Sequence, residues 1–550
     1  MRNEESATGT AAAPSLPRSD RGGAAFVALA LLALAAVAIW IANLGGTFLS
    51  DDFAHLAVIH GAHERSALGA WVVARFFEPL GNGTFAYRPL AFATYALDWT
   101  FYGTDAVGWR LTSVLLFAAN ALAAGLLVHR WLAAHAPQPR FAAAFGGLLL
   151  AAYPFAGEIS YWLVGRFDLL ACLFSLLFLL SLPLHRPSTT REHALRLAFL
   201  ACALWSKESV LPLPAIATLI VFSAAATGIH AGAAMSKAAR TTVRELAPSW
   251  LLLGAYLVWR YALFGSFLKV YRESTPPRAL EDVWIRLSGL RDIVLANAGA
   301  HAHALTLAAA ALIAVIVVAN LRGPRDAGDR RRALVPPLVA GVALYIVAPA
   351  LSFPVSSASG EGARHFYMAW LYVSLLGAML VGWSRGARPL GVALLALLLV
   401  AQANSLRQWH SAGSVMADVV AGVGRVATTV PEDRYALLLL PDHIGVALFA
   451  RTAQASIVGP PMQSRDYLPR MAPMLGIDFG HWSTLIADGE VARLKSAAAF
   501  DPVNFVGLFC WNPARRSFVP LTDGSLAREP ARWEAAARAN FAPAGCVEPF

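Results

Sequence analysis

The chain has 550 residues, of which 57% are hydrophobic and 14% charged, with a formal net charge of +10 and a mean hydropathy of +0.54. No water-soluble fold of this length hides that much apolar surface, so lipid is the solvent for most of it. The positive balance does not point to nucleic acid, because the arginines are scattered between apolar runs and form no basic face.

The first apolar run, residues 24–44, carries no charge and is long enough to cross about 30 Å of hydrocarbon. No small-residue cleavage pattern precedes the acidic loop, so the run reads as an uncleaved anchor behind a cytoplasmic tail, residues 1–23. Just beyond it Asp51 and Asp52 open a long first outer loop, residues 45–106. A loop needs polarity there but not two neighbouring like charges; the pair is either a helix cap or a reactive group at the membrane surface. His55, His60, His63 and Glu64 follow, the last three on one helical face. They are a lesser candidate for a divalent cation; no cofactor is otherwise implied. Walker, G-x-G-x-x-G, H-E-x-x-H and C-x-x-C patterns are absent.

Further apolar runs centre on 111–128, 141–156, 169–184, 194–205, 209–227, 249–264, 304–321, 333–352, 366–383 and 389–403. With the first they predict about eleven transmembrane helices. The run at 194–205 is the weakest, since it contains Arg196. Counting it as a span places "HRWLAAHAPQPR", "HRPSTTREH", "SKAARTTVRE", "RGPRDAGDRRR" and "SRGAR" all in the cytoplasm, as the positive-inside bias requires. The outward segments are then the first loop, turns at 157–167 and 206–208, loops at 265–300 and 353–365, and everything after about 404.

Charges on the outward side are isolated and sit beside aromatics, as in "AYRPL", "YWLVGRFD", "LWSKES" and "EGARHFY". Ionisable groups at a membrane edge are costly unless paired or used, so their gathering on one side implies a shared outward-facing site. Plainer roles exist for each: Arg88 before Pro89 as a helix cap, Arg166 paired with Asp168, Glu158 paired with Lys207. Asp98 and Asp105 read as helix-end residues, and Glu273, Glu281 and Asp282 as solvated loop charges.

From 404 to 550 the composition changes to that of a small extracytoplasmic α/β domain. "RYALLLLPDHIGVALFARTAQ" reads as a buried strand, a Pro-Asp turn and an amphipathic helix, and "FVGLFCWNP" and "WEAAARAN" continue the mixture. Cys172 and Cys202 lie in apolar runs as packing residues. Cys510 and Cys546, in an oxidising compartment, form a candidate disulfide. The fold class is thus a polytopic α-helical membrane protein, its transmembrane domain spanning 24–403, with a small C-terminal domain outside.

Four stretches carry a family resemblance: "SDDFAHL", "YRPLAFATYALDWTFYGTDAVGWRLTSVLLFAANALAAGLLV" (87–128), "YPFAGEISYWLVGRFDLLACLFSLL" (153–177) and "LWSKESVLPLP" (204–214). Together they resemble the GT-C membrane glycosyltransferases, particularly the protein O-mannosyltransferase-like branch and its bacterial relatives. "ARHFYMAW" (363–370) is similar to an Arg-Tyr-rich outer motif, although His365-Phe366-Tyr367 departs from it. The resemblance covers about 45–215 and, loosely, 340–380. It does not reach the outer domain.

The resemblance implies inverting transfer of a hexosyl or pentosyl unit from a polyprenyl-phosphate carrier to a hydroxyl of a protein, glycan or lipid acceptor. The place would be the outer face of a bacterial inner membrane. Asp51 would be the general base, with Asp52 beside it. Arg88, Arg166, Lys207 and Arg364 would hold the donor phosphate, whose growing charge suits bidentate guanidinium contacts. Tyr87, Glu158, Asp168, Glu208, His365 and Tyr367 would support them. A transporter or flippase of a lipid-linked or polar solute shares the hydropathy, but predicts charges and broken helices at the bilayer midplane. A scaffold for the outer domain would not need the charges at all. Here the charges fall at predicted span ends, which favours the enzyme.

Overall fold

The computed structural model describes residues 21–79, 86–133, 136–184, 187–226, 233–267, 288, 295, 297, 302–322, 328–352, 362–441, 443–450, 454–468, 470–475, 505–523 and 544–546. The tail before residue 21, the charges Glu273, Glu281 and Asp282, most of the 353–365 loop and "WEAAARAN" lie outside the described residues.

Each apolar run coincides with a helix. In chain order the membrane part comprises α1 (Arg21–Ala42), α2 (Asp51–Glu64), α3 (Leu68–Phe77), α4 (Pro89–Tyr102), α5 (Ala106–Leu132) and α6 (Pro139–Ala151). A π-helical turn (Gly157–Tyr161) and a 3-10 turn (Leu163–Gly165) lead to α7 (Arg166–Leu180) and α8 (Thr190–Ser206). After the turn Glu208–Val210 come α9 (Leu213–Ala226), α10 (Ala233–Phe264), α11 (Ala302–Arg322) and α12 (Gly328–Ser352). A 3-10 turn, Ala363–Phe366, precedes α13 (Tyr367–Trp383), and α14 (Arg388–Thr429) follows.

Six helical stretches among the described residues are long and apolar enough to cross a membrane: Ala25–Ala42, Ala106–Leu132, Leu163–Leu180, Glu208–Ala226, Ala363–Trp383 and Arg385–Thr429. Of the other five, α11 and α12 are long helices of 21 and 25 residues, and two stand apart from a simple span. α6, with 13 residues, measures only about 20 Å, and α8 buries Arg196.

Local chemistry sets the ends. Pro89 and Pro139 occupy the first turn of α4 and α6, where no amide partner is needed. The Asp105 side chain accepts the Val107 amide at the start of α5, a helix-end role. Asp98 is not at an end; it is buried inside α4. Thr189 and Glu192 close a capping box on α8. α5 and α6 touch through small residues, and a Cβ on Gly147 would come within 2.6 Å of the Ala121 carbonyl oxygen.

The expected change of domain at 404 falls inside α14, a single helix of 42 residues. It leaves the apolar bundle and continues into a four-stranded sheet of order β4-β1-β5-β6. The strands are β1 (Tyr435–Leu440), β4 (Met471–Leu475), β5 (Phe505–Asn512) and β6 (Ser517–Asp523). β1 runs parallel to β4 and β5, and β5 pairs with β6 as a hairpin. The amphipathic helix expected after Pro441 is instead a small hairpin, β2 (His443–Ile444) with β3 (Ala447–Leu448). Gly445 takes φ +58 at its turn, the conformation a two-residue hairpin loop needs and a helix does not.

Two cores result. One fills the helix bundle around Phe145, Leu176 and Leu375. The other joins Phe53 of α2, Tyr95 of α4, Trp409 of α14 and Leu438 of β1 in one cluster. The segment around α2 and α4 and the C-terminal sheet therefore share an interior.

Candidate active site

The loop that carries the two aspartates is fixed from several sides. Arg110 of α5, 2% exposed, donates through Nη1 to the carbonyls of Leu44 (2.8 Å), Gly45 (2.7 Å) and Gly46 (3.0 Å), and through Nη2 to that of Thr47. Its guanidinium carbon lies 3.7 Å from the centre of the Tyr161 ring, and the Tyr161 hydroxyl donates to the Gly45 carbonyl at 2.7 Å. Gly46 has φ +85, and a Cβ there would sit 2.3 Å from the Tyr161 hydroxyl, so only glycine fits. The Thr47 amide donates to the Gly413 carbonyl of α14 at 3.0 Å, and the Ser50 amide to the Phe449 carbonyl of the C-terminal domain at 2.8 Å. Ser50 itself is held at φ 47, ψ −124, a conformation costing about 1–3 kcal/mol for a residue with a side chain. Such strain persists only where surroundings over-determine it.

The two aspartates do different things. Asp52 is buried, and its carboxylate accepts the Leu49 amide at 3.2 Å and the Leu163 amide at 3.1 Å. It therefore staples the loop to the turn before α7 and does not cap α2. Burial pushes its carboxyl well above the usual carboxylate range, against the pull of those two amides and Arg110. Asp51, in the first turn of α2, is only partly covered. His55, one turn on, is ringed by Phe92, Tyr95 and Phe167 at 5.5–6.3 Å; burial, then the Arg88 charge, pull it down to about 4. His60 and His63 pack on Trp99 instead. Among the described residues no group of three metal-ligating side chains converges.

The four cations singled out in the sequence each meet a carboxylate far away in the chain. Arg88 grips Glu208 with two bonds, Nε–Oε2 at 3.2 Å and Nη2–Oε1 at 2.5 Å. Lys207 Nζ lies 2.6 and 2.7 Å from the two oxygens of Asp168. Arg364 Nη1 meets Glu158 Oε1 at 2.7 Å, an oxygen that also accepts the Gly362 amide at 3.0 Å. Arg166 Nη1 meets Asp98 Oδ2 at 2.6 Å, and its Nη2 donates to the Trp109 carbonyl at 2.8 Å. The local pairs Arg166–Asp168 and Glu158–Lys207 are thus replaced. A two-residue spacing at the head of a helix points the two side chains apart.

These pairs are buried, and a buried pair is poor grounds for inferring stability, because desolvation cancels much of the attraction. Their position is more telling. Arg88 immediately precedes α4, Lys207 follows α8, Arg364 lies in the turn before α13 and Arg166 begins α7. Glu208, which Arg88 grips, adjoins Lys207 in the chain, and the charges of Arg88 and Arg364 both bear on the Lys207 ammonium, so the three cations share one neighbourhood. Burial pulls the Lys207 ammonium below the ordinary lysine range, opposed by Asp168. Tyr367 lies deeper, beside Phe117 and Tyr153, with the Asn120 amide at 3.5 Å from its hydroxyl.

An aromatic cleft of about 440 Å³ opens beside this group, lined by Phe76, Tyr87, Trp205, Tyr256 and Trp259 among others. The Tyr87 hydroxyl accepts from Trp259 Nε1 at 3.1 Å and donates to the Phe76 carbonyl at 2.9 Å. Tyr87 adjoins Arg88 in the chain, and Tyr256 feels the charge of Arg260, a fully buried cation whose field also reaches Glu208. Sequence reasoning missed Arg260 and Arg110. Both sit inside apolar stretches, "YLVWRYALF" and "VGWRLTSVL", and an arginine buried in such a run was the available signal. In the C-terminal domain Cys510 and Cys546 are joined as a disulfide, with Cα atoms 5.9 Å apart.

No protein-family model matches the chain, and no curated protein matches it. Two crystal structures of ArnT from Cupriavidus metallidurans are similar to it. The form bound to undecaprenyl phosphate has TM-score 0.47 at 11% identity, over 78% of this chain and 84% of that chain. The apo form has TM-score 0.46 at 13% identity, over 85% and 92%. At these scores the likeness carries no argument about activity, which has to be read from the residues.

Proposed function

We propose that this chain is an integral-membrane glycosyltransferase that moves a hexosyl or pentosyl unit from a polyprenyl-phosphate carrier to an acceptor hydroxyl, with inversion, at the outer face of a bacterial inner membrane. Asp51 is the general base, and Asp52 is its positioning partner. Arg88, Lys207 and Arg364 bind the departing phosphate, with Arg260 near them; Arg166 serves through its hold on Asp98 and the Trp109 carbonyl. The amino terminus is cytoplasmic, and residues beyond α14 form the extracytoplasmic domain.

The observation that carries the reading is that Arg88, Lys207 and Arg364 come from three distant segments to the ends of helices, each held by a carboxylate, Glu208, Asp168 and Glu158, with Lys207 and Glu208 adjacent in the chain. The aromatic cleft adjoins them through Tyr87. A lipid phosphate asks for that combination: an apolar path for the chain and cations for the head. A phosphate leaves readily as an anion, so no general acid is required; the acceptor oxygen needs a base, which the preorganised loop supplies. The cations sit at helix ends and turns, not at mid-span, which favours the enzyme over a transporter. The test is transfer or hydrolysis of polyprenyl-phosphate sugars by purified protein, with glycan analysis of a deletion strain naming sugar and acceptor. Absence of both activities across hexosyl and pentosyl donors would remove the proposal.

A further inference from the structure

The π-helical turn Gly157–Tyr161 touches both halves of the candidate site. At its start Glu158 accepts Arg364 Nη1 at 2.7 Å and the Gly362 amide at 3.0 Å. At its end the Tyr161 hydroxyl donates to the Gly45 carbonyl at 2.7 Å, and the ring centre lies 3.7 Å from the Arg110 guanidinium carbon. The two residues that follow repeat the pattern. The Trp162 ring centre lies 4.4 Å from the Arg364 guanidinium carbon, and the Leu163 amide donates to Asp52 at 3.1 Å. Residues three apart in an α-helix share a face; the wider π turn splays Glu158 and Tyr161 toward different partners.

The turn is itself seated on α14. The Gly157 amide donates to the Ser405 hydroxyl oxygen at 3.1 Å, and Trp162 stacks on Trp409 with ring centres 6.0 Å apart. A Cβ on Gly157 would come within 2.2 Å of the Trp409 ring. The Tyr161 hydroxyl is held as tightly between two further glycines. A Cβ on Gly46 of the loop would stand 2.3 Å from it, and one on Gly413 of α14 would stand 2.0 Å from it. Tyr161 is 3% exposed, so loop, turn and helix meet at this hydroxyl with no room for one of them to shift alone.

We infer that Tyr161 is a positioning residue for transfer: it sets the loop that presents Asp51 in register with Arg364, from a turn that holds both. The inference deepens the transferase reading and rests on it for the roles of Asp51 and Arg364. Tyr161 acts through Gly45 and Arg110, not on the reacting atoms. A displaced base loses rate without losing ground-state binding, since the phosphate contacts remain. Loss of the Tyr161 hydroxyl therefore acts on the chemical step alone, whereas release of the whole turn from α14 acts on both of its ends.

The test uses the full-length protein in detergent and reads loop placement and kinetics separately. The Thr47 and Ser50 amides are bonded to the Gly413 and Phe449 carbonyls, and hydrogen exchange over residues 44–50 should quicken ~10-fold in Tyr161→Phe. In the same variant kcat for transfer from a polyprenyl-phosphate sugar should fall at least ~10-fold with donor KM unchanged. Gly413→Ala adds a better helix former but drives its Cβ onto the Tyr161 hydroxyl, so it should reproduce both effects. Ser405→Ala should lower kcat and also raise donor KM, because the Gly157 seat serves Glu158 as well as Tyr161. Monodisperse elution confirms folding. Unchanged exchange in both Tyr161→Phe and Gly413→Ala overturns the inference. So does a Tyr161→Phe defect shared equally between kcat and KM, the mark of a merely structural residue. Wild-type protein that transfers no sugar removes the transferase reading instead, and the exchange result still decides whether Tyr161 places the loop.

Discussion

The Ser50 amide donates to the Phe449 carbonyl at 2.8 Å, so the loop next to Asp51 is held by the C-terminal domain although some 400 residues separate the two in the chain. The shared core around Phe53, Trp409 and Leu438 says the same in apolar terms. Ending the chain after Val430 should therefore slow transfer at least ~100-fold, since an ångström of misplacement is enough for that. It should also make residues 44–66 protease-sensitive in otherwise inserted protein. Wild-type rates in the truncated protein would show that the domain is an appendage.

Arg110 spans the carbonyls of four successive residues with one planar fork. Lysine, a point charge, cannot do so. Arg110→Lys should lower kcat by about 10²-fold with little change in donor KM, because the loop it orders carries the proposed base and not the proposed phosphate site. Equal kinetics for Arg110→Lys and wild type would dissociate the clamp from catalysis.

His55 titrates near 4 in the folded protein, against about 6.5 when exposed. The unfolded chain therefore takes up a proton first as pH falls. The stability this histidine contributes is complete above about pH 6.5 and is lost on the way down to about 4, by at most about 3 kcal/mol. Thermal unfolding of wild type and His55→Phe between pH 7 and 4 measures it. The variant's midpoint should fall less steeply, and parallel curves would refute a neutral imidazole packed among Phe92, Tyr95 and Phe167.

Cys510 and Cys546 bridge 36 residues of separation. Reduction, or Cys546→Ser, should cost the C-terminal domain about 2–4 kcal/mol. Non-reduced peptide mapping of protein from its own membrane should yield the linked pair; two free thiols would contradict it.

Helix positions were legible in the sequence because lipid-facing helices announce themselves by composition alone. The residues of the candidate site were legible too, as isolated charges beside aromatics. Their partners were not. Asp168 could be found near Arg166 by spacing, but its bond to Lys207 depends on how α7 meets the turn after α8, which no local pattern encodes. Asp98 looked like a helix end because α4 has no apolar run to mark its length. The helix expected after Pro441 failed for a similar reason: a short run of mixed polarity fits both periods, and Gly445 decided in favour of the hairpin. Arg110 and Arg260 were hidden inside apolar stretches, where the count of charges reads as span and the one exception is easily passed over.

The central claim is that Asp51 is the base and Asp52 a structural staple, and separate Asp51→Asn and Asp52→Asn variants test it most directly. Single-turnover transfer from a polyprenyl-phosphate sugar should be at least ~100-fold slower in Asp51→Asn, with folding and donor binding intact. Asp52→Asn, which keeps one carbonyl acceptor for the Leu49 or Leu163 amide, should show lower thermal stability as its main defect. Wild-type transfer by Asp51→Asn would contradict the account and move the base, and the active site with it, elsewhere.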